Sequence, residues 1–248
     1  MPGPVLAVVL LVLVATAALV LWLGRVGKWQ EVVTASARAV VQLAAVSLLI
    51  TAVLGSTSLT VLFAAVMFGV ASVTSARRIG GLRAVAWTAL ALGAGVVPVL
   101  ALLIGSGLVP RAPIALVPIA GILIGGAMTA TSLAGRRALE VLRSRHGEYE
   151  AARALGFGRR DAVLLICRPS AGDALVPALD QTRTVGLVTL PGAFVGVLLG
   201  GASPLQAGAT QVLVLIALLV VEAVAALVVV ELVAAGRLTA RRTSGSPR

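Results

Sequence analysis

The residues of this sequence that could do chemistry are the few polar side chains that stand inside long apolar runs. Glu222 lies near the centre of the last run, between Val221 and Ala223. A carboxylate in such surroundings is energetically costly, and it therefore marks either a function or a specific packing role. Because a carboxylate binds protons and metal cations, Glu222 is a candidate residue of a transport pathway.

Two further polar groups stand where apolar runs begin or break. The first group is Arg38 and Gln42, which are four residues apart and so share one helical face. The second group consists of Asp180, Gln181, Arg183, Thr189, Pro191 and Gly192. Both groups could line a pathway. In the alternative interpretation, the arginines only reach lipid headgroups and Asp180 pairs with one of them, which sets the depth of a helix.

Other kinds of site have little support in the sequence. Cys167 is the only cysteine, so it forms no intramolecular disulfide, and no Cys or His spacing suits a structural metal. His146 is the only histidine and has no catalytic partner nearby in the sequence. The segment GRVGK lacks the spacing of a phosphate-binding loop. We therefore expect no enzyme active site and no cofactor in this chain, and the sequence leaves any metal ligands unknown.

The elements that must position these residues are membrane helices. The chain has 248 residues, of which 59% are hydrophobic and only 12% are charged, a composition outside the range of soluble domains. Aromatic residues make up only 3%, and Ala, Val, Leu and Gly dominate, so small side chains allow helices to pack closely. The composition predicts an all-α, polytopic membrane protein embedded in the lipid bilayer.

Seven stretches approach the roughly 20 apolar residues that a spanning helix needs. They cover residues 5 to 24, 37 to 54, 59 to 76, 84 to 105, 113 to 134, 180 to 200 and 209 to 234. The sixth stretch has a short apolar core, so it must draw Asp180 to Arg183 into the membrane or unwind at Pro191-Gly192. We expect one transmembrane domain over residues 1 to 236 and a basic tail over residues 237 to 248.

The basic residues indicate the orientation of these spans. The chain carries 20 Lys and Arg residues, and they collect in alternate loops and at the C-terminus, whereas Arg111 is the only base in the opposite loops. Because cytoplasmic loops are enriched in Lys and Arg, the N-terminus should lie outside the cell membrane and the C-terminus inside. Anionic lipid at the inner face accounts for the net charge of +11 without any nucleic acid.

The longest cytoplasmic loop, about residues 135 to 179, has the pattern of three short helices. Residues 137 to 145 extend the fifth span, and residues 148 to 155 form a second helix that Gly156 ends in a left-handed turn. Asp161 could then cap a third helix over residues 162 to 168, before Pro169. The small residues Ala151 and Ala152 would allow a partner to approach closely.

The same loop resembles the EAA loop of ABC transporter permeases. In that pattern Glu-Ala-Ala is followed at fixed spacing by Gly, Ile and Leu-Pro; here Glu150, Ala151 and Ala152 are followed by Gly156, Ile166 and Pro169, with Arg168 in place of Leu. The resemblance implies that Glu150, Ala151, Ala152 and Gly156 belong to a coupling helix that docks on a cytoplasmic ABC ATPase subunit. ATP and Mg²⁺ would then bind to that partner.

A wider resemblance covers most of residues 25 to 235. The segments ARAVVQL, EYEAARALGFG, DQTRTVGLVTLPG and GASPLQA together resemble FetB-type permeases, which are linked to iron export and related to plant aluminium-tolerance permeases. The chain departs from that family at Gly126, Thr129 and Asp180, where the family tends to carry Asn. The resemblance implies a permease that exports a metal ion such as iron or another small solute. Because the chain is small for a complete ABC membrane domain, we expect a homodimer. The alternative is a proton-coupled secondary transporter that uses Glu222.

Overall fold

The computed structural model describes residues 3 to 110 and 112 to 239 and divides the chain into two compact units, Met1–Leu59 and Thr60–Arg248. The described residues are almost entirely helical, with one isolated bridge between Val185 and Thr189 and no strand. Seven helical stretches among them are long and apolar enough to cross a membrane. The predicted all-α, polytopic fold is therefore confirmed.

The first unit is a pair of apolar helices, α1 (Pro4–Gly24) and α2 (Trp29–Leu54), which pack against each other. Arg25 and Gly27 join them in left-handed conformations, with φ angles of 49° and 86°. The amides of Arg25 and Val26 bond back to carbonyls of the last turn of α1. These bonds satisfy carbonyl groups that would otherwise lack partners in an apolar medium.

The second unit contains most of the remaining helices. In chain order they are α3 (Thr57–Ile79), α4 (Val85–Gly105), α5 (Pro113–Ser144), α6 (His146–Ala154), α7 (Arg159–Cys167), α8 (Pro169–Thr184), α9 (Gly192–Leu199) and α10 (Pro204–Ala234), with a single 3₁₀ turn at Leu82–Ala84. The long helix α10 is central, because it packs against α4, α5, α7, α8 and α9.

Small residues bring α10 close to its neighbours. A Cβ atom placed on Gly95 of α4 would lie 2.6 Å from the carbonyl oxygen of Val221 on α10. A Cβ atom on Gly135 of α5 would lie 2.6 Å from Ile79 and 3.2 Å from Val229. Between such glycines, fully buried alanines such as Ala127 and Ala225 fill the core. Helices in lipid associate through this kind of close van der Waals packing.

Six of the seven predicted spans match helices, but the predicted sixth span, residues 180 to 200, is not one helix. Helix α8 ends at Thr184, and α9 begins only at Gly192. The segment between them turns at Gly186, whose φ angle of 82° favours glycine. Unwinding at Pro191-Gly192 was one of the two predicted alternatives, and the observed break includes Pro191 but begins earlier, covering residues 185 to 191. By length and composition alone, the helical stretch Arg159–Thr184 could also cross a membrane.

The predicted loop of residues 135 to 179 is helical over most of its length. The extension of the fifth span and the second short helix are confirmed as the end of α5 and as α6. The predicted capping role of Asp161 is wrong, because α7 begins at Arg159 and Asp161 lies in its first turn. The predicted end of the third short helix before Pro169 is confirmed, because α7 ends at Cys167. Pro169 then begins α8, since a proline fits the first turn of a helix, where its missing amide has no helical partner.

Arg111 and residues 240 to 248 of the predicted basic tail lie outside the described residues.

Candidate functional site

Glu222 lies in the packed centre of the second unit. Its residue surface is 8% exposed, and it belongs to α10 where that helix packs against α4 and α5. Within the part of the chain that the structure describes, no hydrogen bond or ion pair engages its carboxylate. An unpaired buried carboxylate is costly, so this position needs a proton, a cation or a partner that is brought to it.

Gly126 on α5 makes the space in which the Glu222 carboxylate lies. A Cβ atom on Gly126 would be 2.6 Å from Oε1 of Glu222 and 2.3 Å from Cδ1 of Leu218. Thr129 is one turn further along α5 and is exposed, and its hydroxyl donates to the carbonyl of Gly125 at 3.0 Å. The Glu222 carboxylate therefore lies against α5 at Gly126, where that helix has no side chain.

Most hydroxyl groups in the surrounding helices have partners, so they act in packing. Thr88 on α4 donates to the carbonyl of Ser72 at 2.8 Å, and Ser132 on α5 donates to the hydroxyl of Ser75 at 3.2 Å. Thr131 is different, because its fully buried hydroxyl oxygen has no hydrogen-bond partner among the described residues. Thr131 and Glu222 are thus two polar side chains of the described core without a hydrogen-bond partner.

The second predicted group surrounds the break between α8 and α9. Asp180 and Arg183 form an exposed ion pair on α8, with Oδ1 and Nη1 3.5 Å apart. This pairing is the one that the alternative interpretation proposed. Gln181 and Thr189 are also exposed. The segment from 185 to 191, called the open segment below, contains few backbone hydrogen bonds, such as that from the amide of Gly186 to the carbonyl of Thr189 at 2.9 Å.

Pro191 and Gly192 stand at the start of α9, which Gln211 ties to α10. The buried Gln211 side chain accepts a hydrogen bond from the amide of Phe194 at 3.2 Å. This amide belongs to the first turn of α9, where no helical carbonyl is available to it. Gln211 therefore fixes the short helix on the far side of the open segment.

Arg38 and Gln42 belong to the first unit. Both lie exposed on one face of α2, as their spacing predicted. The structure describes this unit separately, and the proposed role of the two residues in a pathway stays a prediction.

The α6–α7 segment, residues 146 to 167, contains the predicted coupling residues. Glu150 and Ala151 are exposed on α6, whereas Ala152 is buried and holds α6 in place. Gly156 has a φ angle of 92°, and the amide of Phe157 donates to the carbonyl of Ala152 at 3.1 Å, so the predicted left-handed end of the helix is confirmed.

Two ion pairs hold the α6–α7 segment. Arg160 on α7 binds Glu231 near the inner end of α10, with Nη2 and Oε2 2.5 Å apart. At the other end, Arg145 donates hydrogen bonds to Glu148, and these bonds lower the pKa of the Glu148 carboxyl. Glu148 therefore stays ionised at neutral pH. The segment is attached both to the end of α5 and to the helix that carries Glu222.

Comparison with known proteins identifies the family. Residues 5 to 236 match the profile of a family described as "Uncharacterised protein family (UPF0014)". The chain belongs to the UPF0014 family. No solved structure matches it.

This UPF0014 chain is similar to several named proteins. It is 34% identical over 196 residues to "UPF0014 membrane protein STAR2" of Oryza sativa, an alignment that covers 77% of this chain and 68% of the relative. It is 37% identical over 126 residues to "Protein ALUMINUM SENSITIVE 3" of Arabidopsis thaliana, covering 51% and 46% of the two chains. It is 35% identical over 131 residues to "Probable iron export permease protein FetB" of Escherichia coli, covering 53% and 50%. The last two alignments thus span about half of each relative.

Sequence reasoning missed several residues that shape the candidate site of this chain. Gly126 was noted only as a departure from a family pattern, because one glycine among 27 carries no signal of what it contacts. Gln211 gave a weak signal, as an amide inside an apolar run. The Arg160–Glu231 pair joins residues 71 positions apart, and no spacing rule connects them. Membrane helices and a candidate pathway carboxylate nevertheless make this chain a multi-pass membrane protein with the features of a permease.

Proposed function

We propose that this chain is the membrane subunit of an ATP-driven ABC transporter and that it exports a metal ion, such as iron, or another small solute. The observation that carries the proposal is the α6–α7 segment, an exposed helix, a glycine turn and a second helix at the end of the second unit where arginines collect. A separate cytoplasmic ATPase subunit would dock there and would supply ATP and Mg²⁺.

The tip of this segment has the surface of a docking site. Leu155 is 80% exposed and Phe157 is 43% exposed, beside the small residue Ala151 and the charged Glu150. Exposed apolar side chains with charged neighbours are typical of surfaces that bind another protein. The left-handed Gly156 sets the direction of the chain between Leu155 and Phe157. Exposed apolar side chains at a turn of defined geometry favour a surface that binds a specific protein over an ordinary solvated loop.

The segment is also linked to the candidate pathway. Arg160 binds Glu231 on α10, and Glu222 lies nine positions earlier on the same helix, about 14 Å along its axis. Movement of α7 would therefore act directly on the helix that carries the buried carboxylate. This link supports a mechanism in which an event at the cytoplasmic surface changes the environment of Glu222.

The substrate class follows from the chemistry of the pathway candidate. A lone carboxylate in an apolar core binds a cation or a proton, and one relative is named "Probable iron export permease protein". In the described residues no cluster of three or more His, Cys, Asp or Glu could hold a metal tightly. A weak, transient cation site suits a transporter, which must release its substrate.

In this proposal the C-terminus and the α6–α7 segment lie on the cytoplasmic side of the cell membrane, and the N-terminus lies on the outer side. In the second unit, one buried cluster joins Ile79, Ala84, Ala138, Val163 and Val233, which belong to the ends of helices where arginines collect. Arginines therefore share one end of this unit. The charge rule assigns that end to the cytoplasm.

A homodimer is part of the proposal. The face of α8 that carries Asp180, Gln181 and Arg183 is exposed, and the open segment has unpaired backbone. Such groups are tolerated at membrane depth only against protein or a water-filled cavity. A second copy of the chain would cover this face and create a polar passage. α8, the open segment and α9 would together make the sixth crossing.

The docking proposal is tested with Glu150→Lys and Gly156→Val, each beside Gly147→Val as the control. Glu150→Lys reverses an exposed charge, and Gly156→Val places a branched side chain at a φ angle of 92°. Gly147 lies in α6 without a positive φ, and a Cβ atom there meets nothing within 4 Å. We expect both test variants to insert normally but to lose ATPase co-purification and transport, and the control to keep both. Normal coupling in both test variants would contradict the proposal.

The second candidate function is a proton-coupled secondary transporter. The unpartnered carboxylate of Glu222 favours it, because protonation alone would satisfy that group. In that case transport would follow a pH gradient and would continue without ATP.

A further inference from the structure

We propose that a groove at the inner end of the second unit binds the headgroup of an anionic phospholipid. The groove has a volume of about 350 Å³ and lies between the last turns of α5, the start of α7 and the end of α10. Arg143 and Arg159 line it together with apolar side chains such as Leu142 and Val233. The proposal depends on the inward orientation given above but not on an ATPase partner.

The charges of the groove are unbalanced. Arg143 and Arg159 form no ion pair with any described carboxylate, and the lining contains no Asp or Glu. Nearby arginines differ, since Arg145 is paired with Glu148 and Arg160 with Glu231. Two unpaired guanidinium groups beside one cavity favour a phosphate, which accepts hydrogen bonds from both.

The depth of the groove suits a lipid. Helix α10 has 31 residues, a length of about 46 Å, whereas the hydrocarbon core is roughly 30 Å thick. The groove lies at the end of this helix, at the level where charged side chains begin. Close by, the Arg237 guanidinium lies 5.0 Å from the centre of the Trp87 ring, and tryptophan is typical of membrane interfaces.

The walls of the groove also fit this occupant better than a free phosphate. The half-buried side chains of Leu139 and Leu142 provide an apolar surface beside the two arginines, with the buried Val163 and Leu238 behind them. A soluble anion would leave this surface exposed to water, whereas the upper acyl chains of a phospholipid would cover it. Basic pockets between helices on the cytoplasmic side are a general form of anionic lipid site.

The test uses the full-length protein with phosphatidylglycerol and phosphatidylcholine as probes, and native mass spectrometry to count retained lipids. We expect wild type to prefer phosphatidylglycerol and the double variant Arg143→Gln/Arg159→Gln to lose about 30-fold of that preference. The variant Arg143→Lys/Arg159→Lys keeps both charges and should keep most of the preference. Arg77→Gln/Arg78→Gln removes two exposed charges outside the groove and is the matched control.

Three outcomes would overturn the proposal. Equal losses in the Arg77/Arg78 control would mean that only general surface charge attracts the lipid. Competition by millimolar inorganic phosphate would make the groove a site for soluble anions. Unchanged lipid preference in Arg143→Gln/Arg159→Gln, with loss of a co-purifying ATPase, would make it a protein-docking surface. Failure of ATPase coupling with normal lipid selectivity would instead contradict only the proposed function.

Discussion

Glu222 offers the clearest test at a single residue, because its carboxylate is buried and has no partner among the described residues. Glu222→Gln keeps the size of the side chain and removes its charge. If Glu222 serves a cation or proton pathway, the variant should assemble normally but lose at least tenfold of transport, or lose its pH dependence. Transport into vesicles measured across pH gives the answer, with the exposed Glu140→Gln as control. A fully active Glu222→Gln variant with an unchanged pH profile would remove this residue from the pathway.

Two glycines that pack against α10, Gly95 on α4 and Gly126 on α5, should respond differently to alanine. A Cβ atom on Gly95 would lie 2.6 Å from a backbone oxygen of α10, which cannot move without separating the helices. A Cβ atom on Gly126 would meet only the ends of the Glu222 and Leu218 side chains. We therefore expect Gly95→Ala to lower the free energy of unfolding by about 1–3 kcal/mol. Gly126→Ala should lower transport with a smaller loss of stability. Thermal unfolding in detergent compares the two, and the reverse order would contradict this packing.

At the residue scale, the sequence predicts charged groups better than the space around them. Glu222 stands out because a charge in an apolar run is rare. Gly126 does not, since its importance depends on which side chain of another helix faces it. The pairing of Asp180 with Arg183 was foreseeable from their helical spacing, but their part in a pathway stays a prediction.

At the scale of elements, the α6–α7 segment could be predicted in most of its detail. Its helices and its left-handed glycine follow from local rules on caps and spacing. The capping prediction at Asp161 was wrong, because α7 begins two residues earlier, at Arg159. The sixth span differs in the length of its break, since α8 ends at Thr184 and α9 begins only at Gly192. Local signals marked the break at Pro191-Gly192 but not its start.

The contact between the α6–α7 segment and α10 gives an element-scale prediction. Arg160→Glu and Glu231→Arg each place like charges together, and the double variant restores an opposite pair. The pair is partly exposed, so each single variant should cost only about 0.5–1 kcal/mol of stability. The effect on ATP-dependent transport should be larger than the effect on stability. We expect each single variant to lower this transport severalfold and the double variant to recover it. Absence of recovery, with normal folding, would show that this pair does not transmit the signal.

At the scale of the whole molecule, the arginine distribution predicts which loops face the cytoplasm. Single cysteines at Ser58 and Leu205 should react with an impermeant thiol reagent from outside, and one at Ala151 only after the inner face is opened. The native Cys167 is buried and should react little. Labelling of residue 151 from outside would reverse the orientation. It would contradict the cytoplasmic position of both the α6–α7 segment and the lipid groove.

The overall class of the molecule was the most predictable property, because composition alone requires a helical membrane protein. The sequence could not predict how the polar face of α8 is covered, since that depends on contacts with other surfaces and not on local pattern. The same holds for the central position of α10, which follows from its packing against α4, α5, α7, α8 and α9.

The most direct test of the account is the energy source of transport. The chain would be reconstituted in vesicles with its candidate ATPase, and transport of a divalent metal ion would be measured with ATP, without ATP and with a protonophore. We expect transport to require ATP and to continue in the presence of the protonophore. It should be lost in Gly156→Val but not in Gly147→Val. Transport that proceeds without ATP and stops with the protonophore would contradict it and would establish the proton-coupled alternative.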